Sequence, residues 1–182
     1  MKNSSFKIKP YLYLIFACVI TSCSTLDELT KFDVSYDKSV TIPSITPINF
    51  PITINTPEFD TNTESTFSIN NTTKSLVDDI KLKEFRLTLT NPSTEDFSFL
   101  EILEIYIASE GLEDKKLAWS PTPIENDSNV LYLETTDDDL KEYIFKDSFY
   151  LKIKTTTDEV LTEDHEMEIS TVFTVDAKIL GI

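Results

Sequence analysis

The sequence predicts an all-β protein: a single β-sandwich of about seven or eight strands with one or two short helices. Three observations predict it. Phe85, Leu87 and Leu89 alternate with Glu84, Arg86, Thr88 and Thr90, and Phe149, Leu151 and Ile153 alternate with Tyr150, Lys152 and Lys154. Period two with one greasy face is the pattern of a half-buried strand. Turn formers such as Asn70-Asn71-Thr72-Thr73, Asn91-Pro92-Ser93 and Gly111 punctuate these runs. No strong helical period follows each strand, which disfavours a parallel α/β sheet.

The elements follow in order. Phe32, Val34 and Tyr36 alternate with polar residues, and Val40 and Ile42 continue after a break. Pro43, Pro47, Pro51 and Pro57 then interrupt a segment rich in Ile and Thr. Proline lacks the donor that a central strand needs, so this segment reads as an edge strand or an extended crossing. Ser65 to Asn70 is a short strand candidate with Phe67 and Ile69 on one face. Ser75 to Lys81 reads as one or two helical turns, with Ser75 as cap, Asp78 three residues on, and Leu76 and Ile80 sharing a face. Between Phe97 and Ser109 helix and strand compete at the start, and the β-branched Ile105 and Ile107 favour a strand. Leu117 to Trp119 begins the next strand, which Pro121 and Pro123 stop.

Val130 to Glu134 is a short covered strand. Thr136-Asp137-Asp138-Asp139 looks like a helix start, its carboxylates facing the positive end of the dipole. Leu140, Tyr143 and Ile144 make the stripe that docks this helix on the sheet. The last strand carries Met167, Ile169, Thr171, Phe173, Val175, Ala177 and Ile179 on one face and is long enough to bend or bulge. An immunoglobulin-like sandwich, or one similar, accommodates this list. Leu87-Thr88-Leu89-Thr90-Asn91-Pro92 is similar to the strand-then-Asn-Pro signature of the water-stress/LEA-14-like sandwich family, and no functional residue carries over from it.

The first residues speak of location. Lys2, Lys7 and Lys9 precede an apolar run from Tyr11 to Ile20, closed by Ile20-Thr21-Ser22-Cys23. The run is short for a membrane span of about 20 residues and suits a signal h-region. This layout resembles the signal and lipobox of bacterial lipoproteins. The resemblance implies cleavage between Ser22 and Cys23, diacylglycerol on the Cys23 thiol and an acyl chain such as palmitate on its new amine. Two or more acyl chains anchor a protein firmly. Residues 1–22 are then a signal peptide, 23–31 an acylated cysteine and polar tether, and 32–182 the sandwich. Ser24 stands where an inner-membrane retention signal places Asp, so the sorting rule favours the outer membrane. Asp27 and Glu28 resemble a surface-export signal of Bacteroidota lipoproteins; the plainer reading is a solvated spacer, and the leaflet stays open.

Composition excludes several chemistries. Cys18 leaves with the signal and Cys23 is consumed by lipid, so no thiol nucleophile, cysteine metal site or disulfide remains. The chain has 16 basic and 32 acidic residues, and losing the three signal lysines makes the balance 13 against 32, a net charge of −19. Nucleic acid is an unsuitable partner, since its phosphates need Lys and Arg. Gly111 and Gly181 are the only glycines, too few for a phosphate cradle or dinucleotide fingerprint. His165, the one histidine, lies between Asp164 and Glu166 and reads as a surface residue rather than a triad base. A glycosidase needs a carboxylate pair across a cleft, and 32 acids do not single one out.

Calcium is the metal that the acids would suit. Candidate clusters are Asp137, Asp138 and Asp139; Glu110, Glu113 and Asp114; Glu125 and Asp127; and Asp158, Glu159, Glu163 and Asp164. Helix capping accounts for the first and solvated turns for the others. Trp119, Tyr132, Tyr143 and Tyr150 are candidate ligand-stacking rings, Tyr150 the best candidate for an exposed one; core or rim packing is the favoured reading. The expectation is a non-catalytic, lipid-anchored binding or interaction module for envelope proteins or glycans, needing no cofactor. A structural accessory factor of an envelope complex and a hydrolase of unknown type are the alternatives.

Overall fold

The computed structural model describes residues 30–121, 124 and 128–178. The signal, Ser22 and Cys23 therefore lie outside the described residues, as do Glu125, Asp127 and Ile179. The chain runs β1 (Lys31–Ile42), β2 (Ile52–Asn55), β3 (Phe59–Asp60), α1 (Thr63–Ile69), a 3-10 turn (Lys74–Leu76), β4 (Val77–Asn91), β5 (Leu100–Ala108) and β6 (Lys115–Trp119). It continues through β7 (Val130–Tyr132), β8 (Glu134–Thr135), α2 (Lys141–Ile144), β9 (Ser148–Thr157) and β10 (His165–Ala177). These strands form a four-stranded sheet, β1-β10-β4-β7, and a six-stranded sheet, β2-β9-β5-β6-β8 with β3 also on β9. The all-β sandwich expected from the alternation is the fold. Of its ten described strands, β3, β7 and β8 are only two or three residues long, too short to read from a pattern.

The inward faces are apolar, as period two requires. Phe85, Leu87, Leu89, Met167, Ile169, Phe173 and Val175 of one sheet meet Leu103, Ile105, Ile107, Leu117, Phe149, Leu151 and Ile153 of the other, all fully buried. Each such side chain contributes roughly 1.5–3 kcal/mol by leaving water. Aromatic rings lock the layers edge to face: Tyr36 lies 5.3 Å from Phe149 and 5.8 Å from Phe173, while Phe59 stacks on Phe149 at 4.8 Å. Burial pushes the Tyr36 phenol up to about 12, and its hydroxyl donates to the Thr61 carbonyl.

The expected break in β1 does not occur. Residues 32 to 42 alternate without interruption, and Lys38 occupies an inward position by laying its ammonium 5.8 Å from the Phe59 ring centre. A lysine stem can cover an aromatic face while its charge reaches water. The expected strand at Ser65–Asn70 is instead helix α1. Of its two large apolar residues Phe67 is buried, packed edge to face on Phe32 and Phe145, while Ile69 is exposed. One anchor needs one helical face and no sheet partner.

The helix expected over 75–81 shrinks to the Lys74–Leu76 turn, with no side-chain cap, and the strand begins at Val77. Its apolar residues hid their period because β4 bulges. Against β10 the pairing skips Asp78, Lys83 and Thr90, so the buried positions run Val77, Ile80, Leu82, Phe85, Leu87, Leu89. Each bulge inserts one residue and shifts the side-chain parity. The expected Val130–Glu134 strand divides at Leu133: β7 pairs with β4 and β8 with β6, so the chain crosses there from one sheet to the other. The proline segment behaves as expected, with β2 ending the six-stranded sheet as an edge strand.

The sandwich has two unlike ends. Lys31, Val77, Ala108, Ser148 and Ala177 begin or close strands at one, the entry end, which also carries both helices. Ile42, Asn91, Leu100, Thr157 and His165 lie at the far end. Loops 43–51, 92–99 and 158–164 join the sheets there, tied by Ser44 N–H to Asp164 Oδ1 at 2.8 Å, Asn49 N–H to the Thr157 carbonyl at 2.7 Å, and Asp158 N–H to the Phe99 carbonyl at 3.2 Å.

Candidate functional site

The far-end loops expose what a core ordinarily hides. Ile45 is 90% exposed, Phe50 62% and Val160 71%, and Ile48 and Ile102 less so. The prolines explain the first three of these residues in the chain: Ile45, Ile48 and Phe50 alternate with Pro43, Pro47 and Pro51, where the backbone cannot join a ladder that would turn the side chains inward. Ile102 is turned outward by the bulge at Glu101 in the β5–β9 pairing. The loops 43–51, 92–99 and 158–164 contain Glu95, Asp96, Asp158, Glu159, Glu163 and Asp164 and no lysine or arginine. The far end is therefore an apolar tip with an acidic rim. Scattered single hydrophobics are ordinary on a surface, but a gathered set rimmed by polar groups marks an interaction face.

His165 holds this end together, and it is buried, not at the surface. Its Nε2 lies 2.9 Å from Glu95 Oε2, its Nδ1 3.0 Å from the Glu163 carbonyl, and its ring 4.4 Å from that of Phe99. The polar neighbours Asp164 and Glu166 misled the sequence reading. At the first residue of β10, alternation turns residue 165 inward and both acids outward. Both ring nitrogens are occupied, so the histidine clasps loop 92–99 to loop 158–164.

A second feature is a cleft of about 680 Å³ at the entry end, lined by Glu58, Ser109, Glu110, Lys146, Asp147, Ser148 and Tyr150. Its polar groups are largely engaged with one another. Ser109 Oγ donates to the Ser148 carbonyl at 2.7 Å and Ser148 Oγ to Glu58 Oε2 at 3.0 Å. Gly111, at φ 77, turns the chain beside it.

The expected aromatic candidates separate. Tyr143 is buried and donates its hydroxyl to the Glu113 carbonyl at 2.6 Å. Tyr150, expected to be the exposed ring, is half-buried beside the cleft, with Lys152 Nζ 5.6 Å from its centre. Tyr132 is the exposed one, because β7 ends the four-stranded sheet. Trp119 lies half-buried under Lys116 on the outer face of the six-stranded sheet.

The acidic clusters do not converge on an ion: among the described residues no group of three or more His, Cys, Asp or Glu could hold a metal. Asp137, Asp138 and Asp139 are a structural corner. Asp139 Oδ1 accepts the amides of Ile80 at 3.1 Å and Lys141 at 3.0 Å. Burial pushes its carboxyl up, but those two amides and the Lys141 ammonium outweigh it and hold the carboxyl below the usual range. The expected helix start at Thr136 is instead this corner, where Thr136 Oγ1 also accepts the Asp138 amide at 3.2 Å, and α2 is a single turn with Leu140 at its cap.

Among the described residues no helix is long and apolar enough to cross a membrane. No family model and no curated protein matches the chain. Among solved structures, one from Desmodium yellow mottle tymovirus matches with a TM-score of 0.24 and 8% identity, covering 84% of this chain and 91% of that one, a likeness that carries no argument.

Proposed function

We propose that this protein is a lipid-anchored, non-catalytic docking module of the cell envelope. Acyl chains on Cys23 hold it, and the far end of the sandwich engages a protein partner. One observation carries the reading: Ile45, Ile48, Phe50, Ile102 and Val160 are exposed together at the end opposite that where β1 begins. Eight residues, nine residue steps, separate Cys23 from Phe32, a reach of at most about 30–32 Å when extended. The acidic rim sets the partner's chemistry, an apolar socket bordered by Lys or Arg, because opposite rims steer encounter and fix register. Ser24, where a retention signal would place Asp, favours the outer membrane as location.

The test is paired purification of the full chain from detergent-solubilised membranes, as wild type and as Ile45→Ser/Phe50→Ser. The expected result is a specific protein, apolar and basic at its contact face, that the wild type retains and the variant loses while both stay in the membrane. Equal recovery with both would overturn the tip. Cys23→Ala separates the two claims: it should release the protein from the membrane, and persistent retention would overturn the lipid anchor alone.

A further inference from the structure

The outer face of the six-stranded sheet carries a second surface, independent of the anchor and of the tip. Strand pairing sets its side chains in two rows across β9, β5 and β6. One row is Lys154, Glu104, Trp119; the other is Lys152, Tyr106, Lys116. Lys154 is exposed and the other five are partly exposed on the outward side, while Leu103, Ile105, Ile107, Leu151 and Ile153 between them are buried. The cations sit on the rings: Lys154 Nζ is 4.1 Å from the Tyr106 centre and Lys116 Nζ 5.2 Å from that of Trp119. Glu104 lies at the middle, taking Lys116 Nζ at 2.6 Å and the Tyr106 hydroxyl at 3.0 Å. Lys152 reaches Asp114 at 2.7 Å.

Cross-strand pairs of this kind stabilise any sheet; here they set three lysines, two carboxylates and two rings side by side. The whole chain has 16 basic residues against 32 acids, and three of the lysines fall within one small patch of three neighbouring strands. Flat rings, cations and carboxylate acceptors side by side are the three parts that a charged sugar needs. The part of each ring that its lysine leaves uncovered takes the apolar face of a pyranose, the exposed Lys154 takes its carboxylate, and Glu104 and Asp114 accept from its hydroxyls as they exchange Lys116 and Lys152 for the sugar. The geometry points to this face as a binding site for an anionic, uronate-bearing oligosaccharide. An extended anionic bilayer would meet the repulsion of the whole acidic body, whereas a short sugar chain is confined to the patch.

The test uses the detergent-solubilised full chain, titrated calorimetrically with an oligogalacturonate, with a neutral malto-oligosaccharide of the same length, and with phosphatidylglycerol vesicles. The expected result is binding of the oligogalacturonate alone, weakened by salt as surface charge pairs are. Lys152→Gln/Lys154→Gln should weaken it roughly tenfold, while Lys81→Gln/Lys83→Gln on the other sheet should leave it within roughly twofold. Unchanged melting of both variants keeps folding out of the comparison. No binding, equal binding of the neutral sugar, binding to vesicles only, or equal weakening by the two double variants would each overturn the site.

Discussion

The two ends of the sandwich are built from similar residues and treat them oppositely. At the entry end, Phe59, Phe67, Leu140, Tyr143 and Ile144 are buried, and their loops are sewn to the body by side chains. Thr61 Oγ1 donates to the Lys146 carbonyl at 2.6 Å, Thr63 Oγ1 to that of Ile144 at 2.6 Å, and Lys74 Nζ to that of Phe145 at 2.8 Å. At the far end, Ile45, Ile48, Phe50 and Val160 face water, and beneath them the His165 clasp closes the core. Burial at one end serves stability, whereas exposure at the other costs solubility without a folding return. That cost makes sense for a surface kept to be covered by something else.

The contrast can be broken by mutation. The largest effect is expected at the ring cluster: Phe149→Ala should cost about 3–5 kcal/mol in urea unfolding, since Phe149 touches Tyr36, Phe59 and Phe173. His165→Ala should come next, at about 2–3 kcal/mol, because it leaves a cavity beside Phe99 and strips the Glu163 carbonyl of its partner. Loosening should show first as faster amide exchange in loops 92–99 and 158–164. Asp139→Ala should cost about 1 kcal/mol by stranding the amides of Ile80 and Lys141. Its sign with pH follows from its depressed folded value: the contribution is present above the unfolded carboxylate value and is lost as pH falls through the folded one. Ile45→Ser/Phe50→Ser should be the smallest, within about 0.5 kcal/mol, and a cost like that of Phe149→Ala would remove the contrast.

Alkaline pH sharpens the same comparison. Tyr36 is raised to about 12 by burial, so its phenolate is disfavoured in the folded state. Its stabilising contribution is full below the unfolded value of about 10 and is lost as pH climbs from there toward about 12. Tyr106 and Tyr143 are also raised, less far, so absorbance titration should show Tyr36 as the last tyrosine to ionise, together with loss of near-ultraviolet dichroism, and Tyr36→Phe should remove that last step.

Much of this fold was legible because its strands keep period two against a greasy interior. Phe85 to Leu89 and Phe149 to Ile153 announce themselves. The misses share one physical cause, a local pattern overruled by a distant partner. Bulges at Asp78 and Lys83 break the period of β4, Lys38 covers a ring from an inward position, and Phe67 needs neighbours on β1 and near α2 to make its segment helical. The tip was half visible: the prolines that forbid a ladder also leave Ile45, Ile48 and Phe50 outward, but only the assembled loops bring Val160 to the same end of the sandwich. The outer-face grid was legible strand by strand, as Lys152 and Lys154 opposite Leu151 and Ile153, yet its rows exist only through pairing register.

The most direct test of the two-ended account is photocrosslinking in the living cell from a benzophenone residue placed at Phe50 or, as the control, at Ile69, the exposed apolar residue of α1 at the entry end. The account predicts one discrete protein adduct from position 50 and none of that mass from position 69. Adducts absent from both positions, or identical at both, would contradict it.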